Sequence, residues 1–220
     1  MKKIRFLFFF TIVYSQWASF DNNNLNLDDK NTVNSFAAAI STFNVLPIDK
    51  TDNFSLGSII VGGVNNNYYA PIFYGQTRLT WNLFLRGRMS VFSSNKKAVQ
   101  LFGWGLSLNP NKEESLANWL VSFDSGFLSA HNQIDLSAMK FSVDRLTRHN
   151  GKIRYFYGFS LNLLSCSSFQ QDSGDFVRNQ LQSNHINIGT LMQIGELNFI
   201  PNLSIGNKIN YLSISLSKNI

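Results

Sequence analysis

A single cysteine and three histidines are all the strong nucleophile and metal-ligand chemistry that this 220-residue chain carries. Cys166 has no partner for an internal disulfide, so noncovalent packing alone must hold the fold. It also lies far from the start of a mature chain, where a lipid-carrying cysteine sits. His131, His149 and His185 make no metal-ligand spacing with one another or with Cys166, and no metal or cofactor is expected. Charged residues are only 15 % of the chain, against roughly 25 % in ordinary soluble domains. Beyond the N-terminus no apolar run approaches the ~18 residues of a membrane helix. A glycine-rich phosphate loop is missing as well, and many scattered serines near three histidines form no Ser/His/acid constellation above chance. These absences argue against a metalloenzyme, a helical membrane protein and, more generally, an enzyme.

The formal net charge of +6 owes three positives to Lys2, Lys3 and Arg5. An apolar run from Phe6 to Val13 and the small residue Ser15 come after them. That order predicts a secretory signal peptide over 1–15, cleaved after Ser15, because the apolar core is too short for an anchor. Its removal takes the basic residues from 19 to 16 against 13 acidic ones, a mild excess without a basic run and no nucleic-acid signature. The segment 16–53 is polar, with DNNNLNLDDKN as a solvated stretch. Within it, Phe36 to Val45 reads as a short helix, a first strand or an interior plug, expected inside or beneath a barrel formed by 54–220.

Aromatics are abundant, with twenty Phe. The clearest periodicity runs over Gln76 to Phe92, QTRLTWNLFLRGRMSVF. Leu79, Trp81, Leu83, Leu85, Met89 and Val91 fall on one parity, and Arg78, Arg86 and Arg88 on the other. Side chains of a strand alternate faces, so this reads as one long strand over 77–92. Soluble strands usually run about five to six residues, whereas a tilted bilayer-spanning strand needs about nine to eleven. Further alternating segments are expected over 54–64, 97–108, 117–128, 134–148, 152–164, 185–194, 197–205 and 208–220. A doubtful one covers 68–74, which contains Pro71. Cys166 to Asn184 reads as a long polar loop.

The turns test the faces, since cross-strand neighbours share a face. Gly195-Glu196 supplies the two-residue loop that pairs Ile194 with Leu197. Gly206-Asn207 is the expected turn that aligns Leu203 with Leu212. At His149-Asn150-Gly151 a three-residue loop, pairing Ser142 with Gly158 and Asp144 with Phe156, keeps the faces apart, which a two-residue loop does not. The expectation is an all-β fold: an antiparallel up-and-down transmembrane β-barrel over 54–220, of about ten strands within a range of eight to twelve.

The signal sequence, the alternating strands and the C-terminal strand YLSISLSKNI resemble the bacterial outer-membrane β-barrel class over about 54–220. Such proteins often end on an aromatic residue; Ile220 departs from that, and Lys218 stands on the outward parity. The resemblance implies an outer-membrane location, outer-membrane lipid and the barrel-assembly machinery as partners, and short turns on the periplasmic side. With both termini periplasmic, the loop at 166–184 is then external.

The inward parity collects Arg78, Arg86, Arg88, Asp124, Lys140, Asp144 and Arg154 as lumen-lining candidates. They read either as an anion-favouring lining or as an ion-pair network filling a narrow interior, and ten strands leave little room beyond side chains. Leu79, Trp81, Leu83, Leu85, Tyr155, Tyr157 and Phe159 are the outward, lipid-facing candidates, with the aromatics suited to interfacial girdles. The functional expectation is a small outer-membrane barrel with a structural or narrow, anion-favouring transport role. Two alternatives stand beside it. One is a secreted or periplasmic soluble barrel binding an apolar ligand inside, and the other is an outer-membrane lipid-modifying enzyme.

Overall fold

The alternation over 54–220 becomes ten strands in the computed structural model, which describes residues 36–42, 53–63, 69–94, 97–110, 117–130, 134–150, 153–169 and 176–220. They are β1 (Phe54–Gly63), β2 (Tyr69–Arg78), β3 (Leu83–Ser94), β4 (Lys97–Leu108), β5 (Ala117–Ala130), β6 (Ile134–Asn150), β7 (Ile153–Phe169), β8 (Phe176–Ile194), β9 (Leu197–Gly206) and β10 (Tyr211–Asn219). Each is antiparallel to its sequence neighbours, and β1 pairs with β10, so the sheet closes on itself. At the seam, Phe54 N donates to Ile220 O at 3.3 Å and Ile220 N donates to Phe54 O at 2.8 Å. Closure leaves no edge of bare N–H and C=O groups. The expected signal peptide over 1–15 lies outside the described residues.

Five sequence expectations need correction. The stretch 77–92 is not one strand. The chain turns at 79–82, where Thr80 Oγ1 donates to Asn82 Oδ1 at 2.8 Å and accepts from Leu83 N at 3.2 Å. Short polar side chains that bond nearby groups compete with the ladder and make turns. Pro71 does not disqualify its strand. It lies where β2 pairs with β1, opposite Ile60, while the β2–β3 ladder begins only at Phe73↔Met89. Pro201 behaves alike: the β8–β9 ladder skips from Gly189↔Asn202 to Met192↔Phe199 without a change of register. Proline cannot donate to a ladder, and it sits where a bond is dispensable.

The register of the β6–β7 hairpin also differs. Asp144 pairs with Gly158 and Ser142 with Ser160, two residues beyond the expected partners, with a bulge between Arg148 and Asn150. The parity, and hence the face, is unchanged. Gly158 offers the space: a Cβ there would come 2.1 Å from Asp144 Oδ1. Cys166 to Asn184 is not a loop, because β7 runs to Phe169 and β8 starts at Phe176. The outward residues Ser165, Ser167, Arg178 and Gln180 are polar, yet Leu164, Cys166 and Leu181 point inward. A strand that has outrun an apolar belt keeps its apolar side toward the core and turns its outer side to water. The loop-length argument for orientation therefore loses its premise, but the overrun itself marks the end of the barrel opposite the C-terminus.

The two glycine turns divide. Gly195 has φ +62°, as the tight β8–β9 turn requires, and Ile194 pairs with Leu197. Leu203 pairs with Leu212, but Gly206 is the last residue of β9 and the chain reverses at 207–210. A Cβ at Gly206 would lie 2.3 Å from the His185 ring, so this glycine makes room for a neighbour and not for a turn.

Candidate functional site

The inward positions of β3, β5 and β6 carry Arg86, Arg88, Asp124, Lys140 and Asp144, none more than 5 % exposed. Arg86, Gly105, Asp124, Lys140 and Asn162 are successive Cα partners across β3 to β7. Arg86 Nη2 meets Asp124 Oδ1 at 2.5 Å. The bond spans β4 because Gly105 has no side chain; a Cβ there would sit 1.9 Å from that oxygen. One row over, Arg88 is succeeded by Gly103, Gly126 and Ala138. Arg88 lies along both glycines, whose Cβ atoms would come 2.6 Å and 2.7 Å from its guanidinium.

That lane leads Arg88 to a second element within the barrel. Residues 36–41 form a short helix, α1, and every side chain over 36–42 is buried. Arg88 Nη1 donates to Ala39 O at 3.0 Å and to Thr42 O at 2.5 Å, and Nη2 donates to Ile40 O. Lys140 Nζ and the Tyr211 hydroxyl donate to Ser41 O at 3.2 Å and 3.4 Å. A helix leaves its last carbonyls unpaired and carries partial negative charge there, so cations and donors are the natural partners. The helix body, Phe36 to Ile40, packs in one apolar cluster with inward residues such as Ile59, Ile72, Leu101, Leu128 and Leu136. In the described interior, three cations outnumber two carboxylates in this belt, and the helix end sets partial negative charge beside Arg88 and Lys140.

Two of the lumen candidates stand apart. Arg78 ends β2, half-buried, with its Cζ 5.8 Å over the Phe84 ring. Arg154, also half-buried, is the second residue of β7, with Arg148 as its Cα partner. Among the outward candidates, Leu85, Tyr155 and Tyr157 are exposed on their strands, and Leu83 and Phe159 are partly so. Leu79 and Trp81 are exposed but belong to the turn at 79–82.

Sequence reasoning drew no site from the adjoining wall, β7 to β9. There Ser160, Asn162, Ser183, His185, Asn187 and Ser204 are buried and mutually bonded. His185 does not begin a strand but sits inside β8. Its Nε2 lies 2.9 Å from Ile209 O, so that nitrogen carries the proton, and Nδ1 accepts from Asn162 Nδ2 at 2.6 Å. The Ser183 hydroxyl, 3.1 Å from Nε2, thus faces a donor and gains no base. The readable signal was the polar parity of β7 and β8, with Ser160 and Asn162 on one and Asn187 on the other. His131 lies outside the described residues.

β10 also decides which side of the sheet meets what. Ser213 and Ser215 are 0 % exposed, whereas Ile214 between them is 41 % exposed. Ile60, Phe73, Met89, Phe102, Phe127, Met139 and Ile186 repeat the pattern around the barrel. A protein in water buries isoleucine and exposes serine, and carries no apolar band around its whole girth. The barrel is a transmembrane one.

The comparisons with known proteins concern this architecture. No family model matches the chain, and no curated protein matches it. Among solved structures it is similar to the KdgM porin, with a TM-score of 0.44 and 5 % identity over 76 % of this chain and 99 % of that one. It is similar to Ail, the attachment invasion locus protein of Yersinia pestis, with a TM-score of 0.32 and 11 % identity over 77 % of this chain and 98 % of that one. For Neisserial surface protein A the TM-score is 0.32 at 8 % identity, over 76 % of this chain and 95 % of that one.

Proposed function

We propose that this chain is a bacterial outer-membrane barrel closed by its own segment 36–42, which passes small anions only when that segment leaves the lumen. The observation that carries the reading is the grip of Arg88, Lys140 and Tyr211 on the carbonyls of residues 39–42. With α1 in place, its buried side chains pack against the inward residues of a barrel that is narrow at this strand number. With α1 gone, Arg86, Arg88 and Lys140 face Asp124 and Asp144 around a short, net-positive constriction. The C-terminus and the tight turn at 195–196 lie on the periplasmic side, and the overrunning β7–β8 hairpin projects outside. No catalytic role belongs to this reading, since the one described histidine side chain is locked between Asn162 and Ile209.

Planar-bilayer recording tests it. The full chain gives rare, small openings, and a variant lacking 36–42 gives a steady conductance that favours chloride over potassium. Identical traces from the two, or cation selectivity in the deletion variant, overturn the reading.

A further inference from the structure

Trp119, Arg145 and Tyr157 stand side by side on β5, β6 and β7 as direct Cα partners, all on the outer face. Arg145 is placed where the outward apolar run of β6 (Met139, Phe141, Val143) ends, on the side of the C-terminal rim. Its guanidinium lies 5.5 Å from the Trp119 ring centre, and Nη1 donates to the Tyr157 hydroxyl at 3.3 Å. Neither group neutralises it. Its Nε has no hydrogen-bond partner, and among the described residues it meets no carboxylate. Among the described residues, another outward cation at this rim, Lys218, is paired with Glu196 at 2.5 Å.

An arginine on the outside of a membrane barrel is costly at the midplane and tolerable near the interface, where headgroup phosphates lie. The planar fork suits a phosphate bidentately, and the flanking indole and phenol are the rings that settle at that depth. We infer that Arg145, held between Trp119 and Tyr157, is a binding site for the phosphodiester headgroup of an anionic membrane phospholipid. The inference rests on the membrane reading above. The lipid, more than a free phosphate, fits the site because Val121, Val143 and Phe159 continue the same three-strand row of partners toward the belt and offer an apolar bed for the acyl chains.

Native mass spectrometry of the full chain, released from detergent and titrated with phosphatidylglycerol, provides the test. One lipid is retained by the wild type, and Arg145→Gln lowers that occupancy at least about tenfold. Lys218→Gln leaves it unchanged, and inorganic phosphate does not displace the lipid. On the wild type alone, a galactosyl diacylglycerol without phosphate binds about tenfold more weakly than phosphatidylglycerol. This last arm needs no variant to fold. Equal retention by wild type and Arg145→Gln, equal binding of the two lipids, or displacement by inorganic phosphate overturns the inference. Failure of the membrane reading looks different: the chain is then recovered without detergent, whatever it binds.

Discussion

Arg86 and Asp124 form a buried ion pair across an intervening strand, 2.5 Å apart, through the gap left by Gly105. The pair joins β3 to β5 without any contribution from a β4 side chain. Breaking a buried pair leaves a charge without its partner, at about 3–5 kcal/mol. Gly105→Val pushes a side chain into the carboxylate and is expected to cost that much, as is Asp124→Asn. Urea unfolding in detergent micelles measures it. Because both changes remove one interaction, the double variant costs far less than the sum; additive losses would show that Gly105 and the pair are independent.

On the proposed reading, Arg88 holds the plug in place. Replacing it by Met removes charge-assisted bonds to the carbonyls of residues 39, 40 and 42. The loss of about 2 kcal/mol raises the released population roughly thirty-fold. Open-channel probability in single-channel recordings reports this directly. An unchanged probability means that α1 is held by its apolar packing alone.

Ile214 faces outward between two buried serines. In hydrocarbon, Ile214→Arg is expected to cost about 2–4 kcal/mol. In water an exposed isoleucine tolerates the same change within about 0.5 kcal/mol. Folding into lipid vesicles, with denaturant titration afterwards, separates the two; a neutral substitution would count against the membrane belt.

His185 is hydrogen-bonded through both ring nitrogens. His185→Leu keeps the volume but strands Asn162 and the Ile209 carbonyl, with an expected cost of about 1–3 kcal/mol. The temperature at which the folded, fast-migrating gel band disappears falls accordingly. A band as heat-resistant as the wild type's would show that the bonded network contributes nothing net.

Glu196, in the exposed β8–β9 turn, accepts a hydrogen bond from Lys218 and feels its charge, which holds its carboxyl below the ordinary glutamate range. A depressed folded value means that the stabilisation is present above the unfolded value of about 4.3 and is lost as pH falls through the folded one. Wild type and Glu196→Gln are expected to be nearly equal in stability at neutral pH, because exposed pairs are weak. What small advantage the wild type has disappears in acid. A gap that instead widens on acidification would reverse the assignment.

The closed, inside-out barrel was legible in the chain. Period-two alternation is a local property, so Leu212, Ile214 and Leu216 part from Ser213 and Ser215 whatever the rest of the chain does. Loop parity carried that separation from strand to strand. It survived even where the register was wrong by two residues at Asp144 and Gly158, because an even shift preserves faces.

The site was legible only as a set of inward residues. Parity says that Arg86, Arg88, Asp124 and Lys140 share a lumen, but the partner of each depends on shear between strands. Which glycines lie beside which arginines depends on that shear as well. The alternation at 76–92 even ran through a turn, since Leu79 and Trp81 keep their parity while Thr80 and Asn82 bend the chain. Nothing local in FAAAIST shows that its last carbonyls meet Arg88, some forty-five residues on. Sequence by itself determined which residues of each strand share a face, because alternation is set by the backbone. Tertiary structure decided what the lumen holds, because closing ten strands brings donors from β3, β6 and β10 onto one helix end that no single strand could hold.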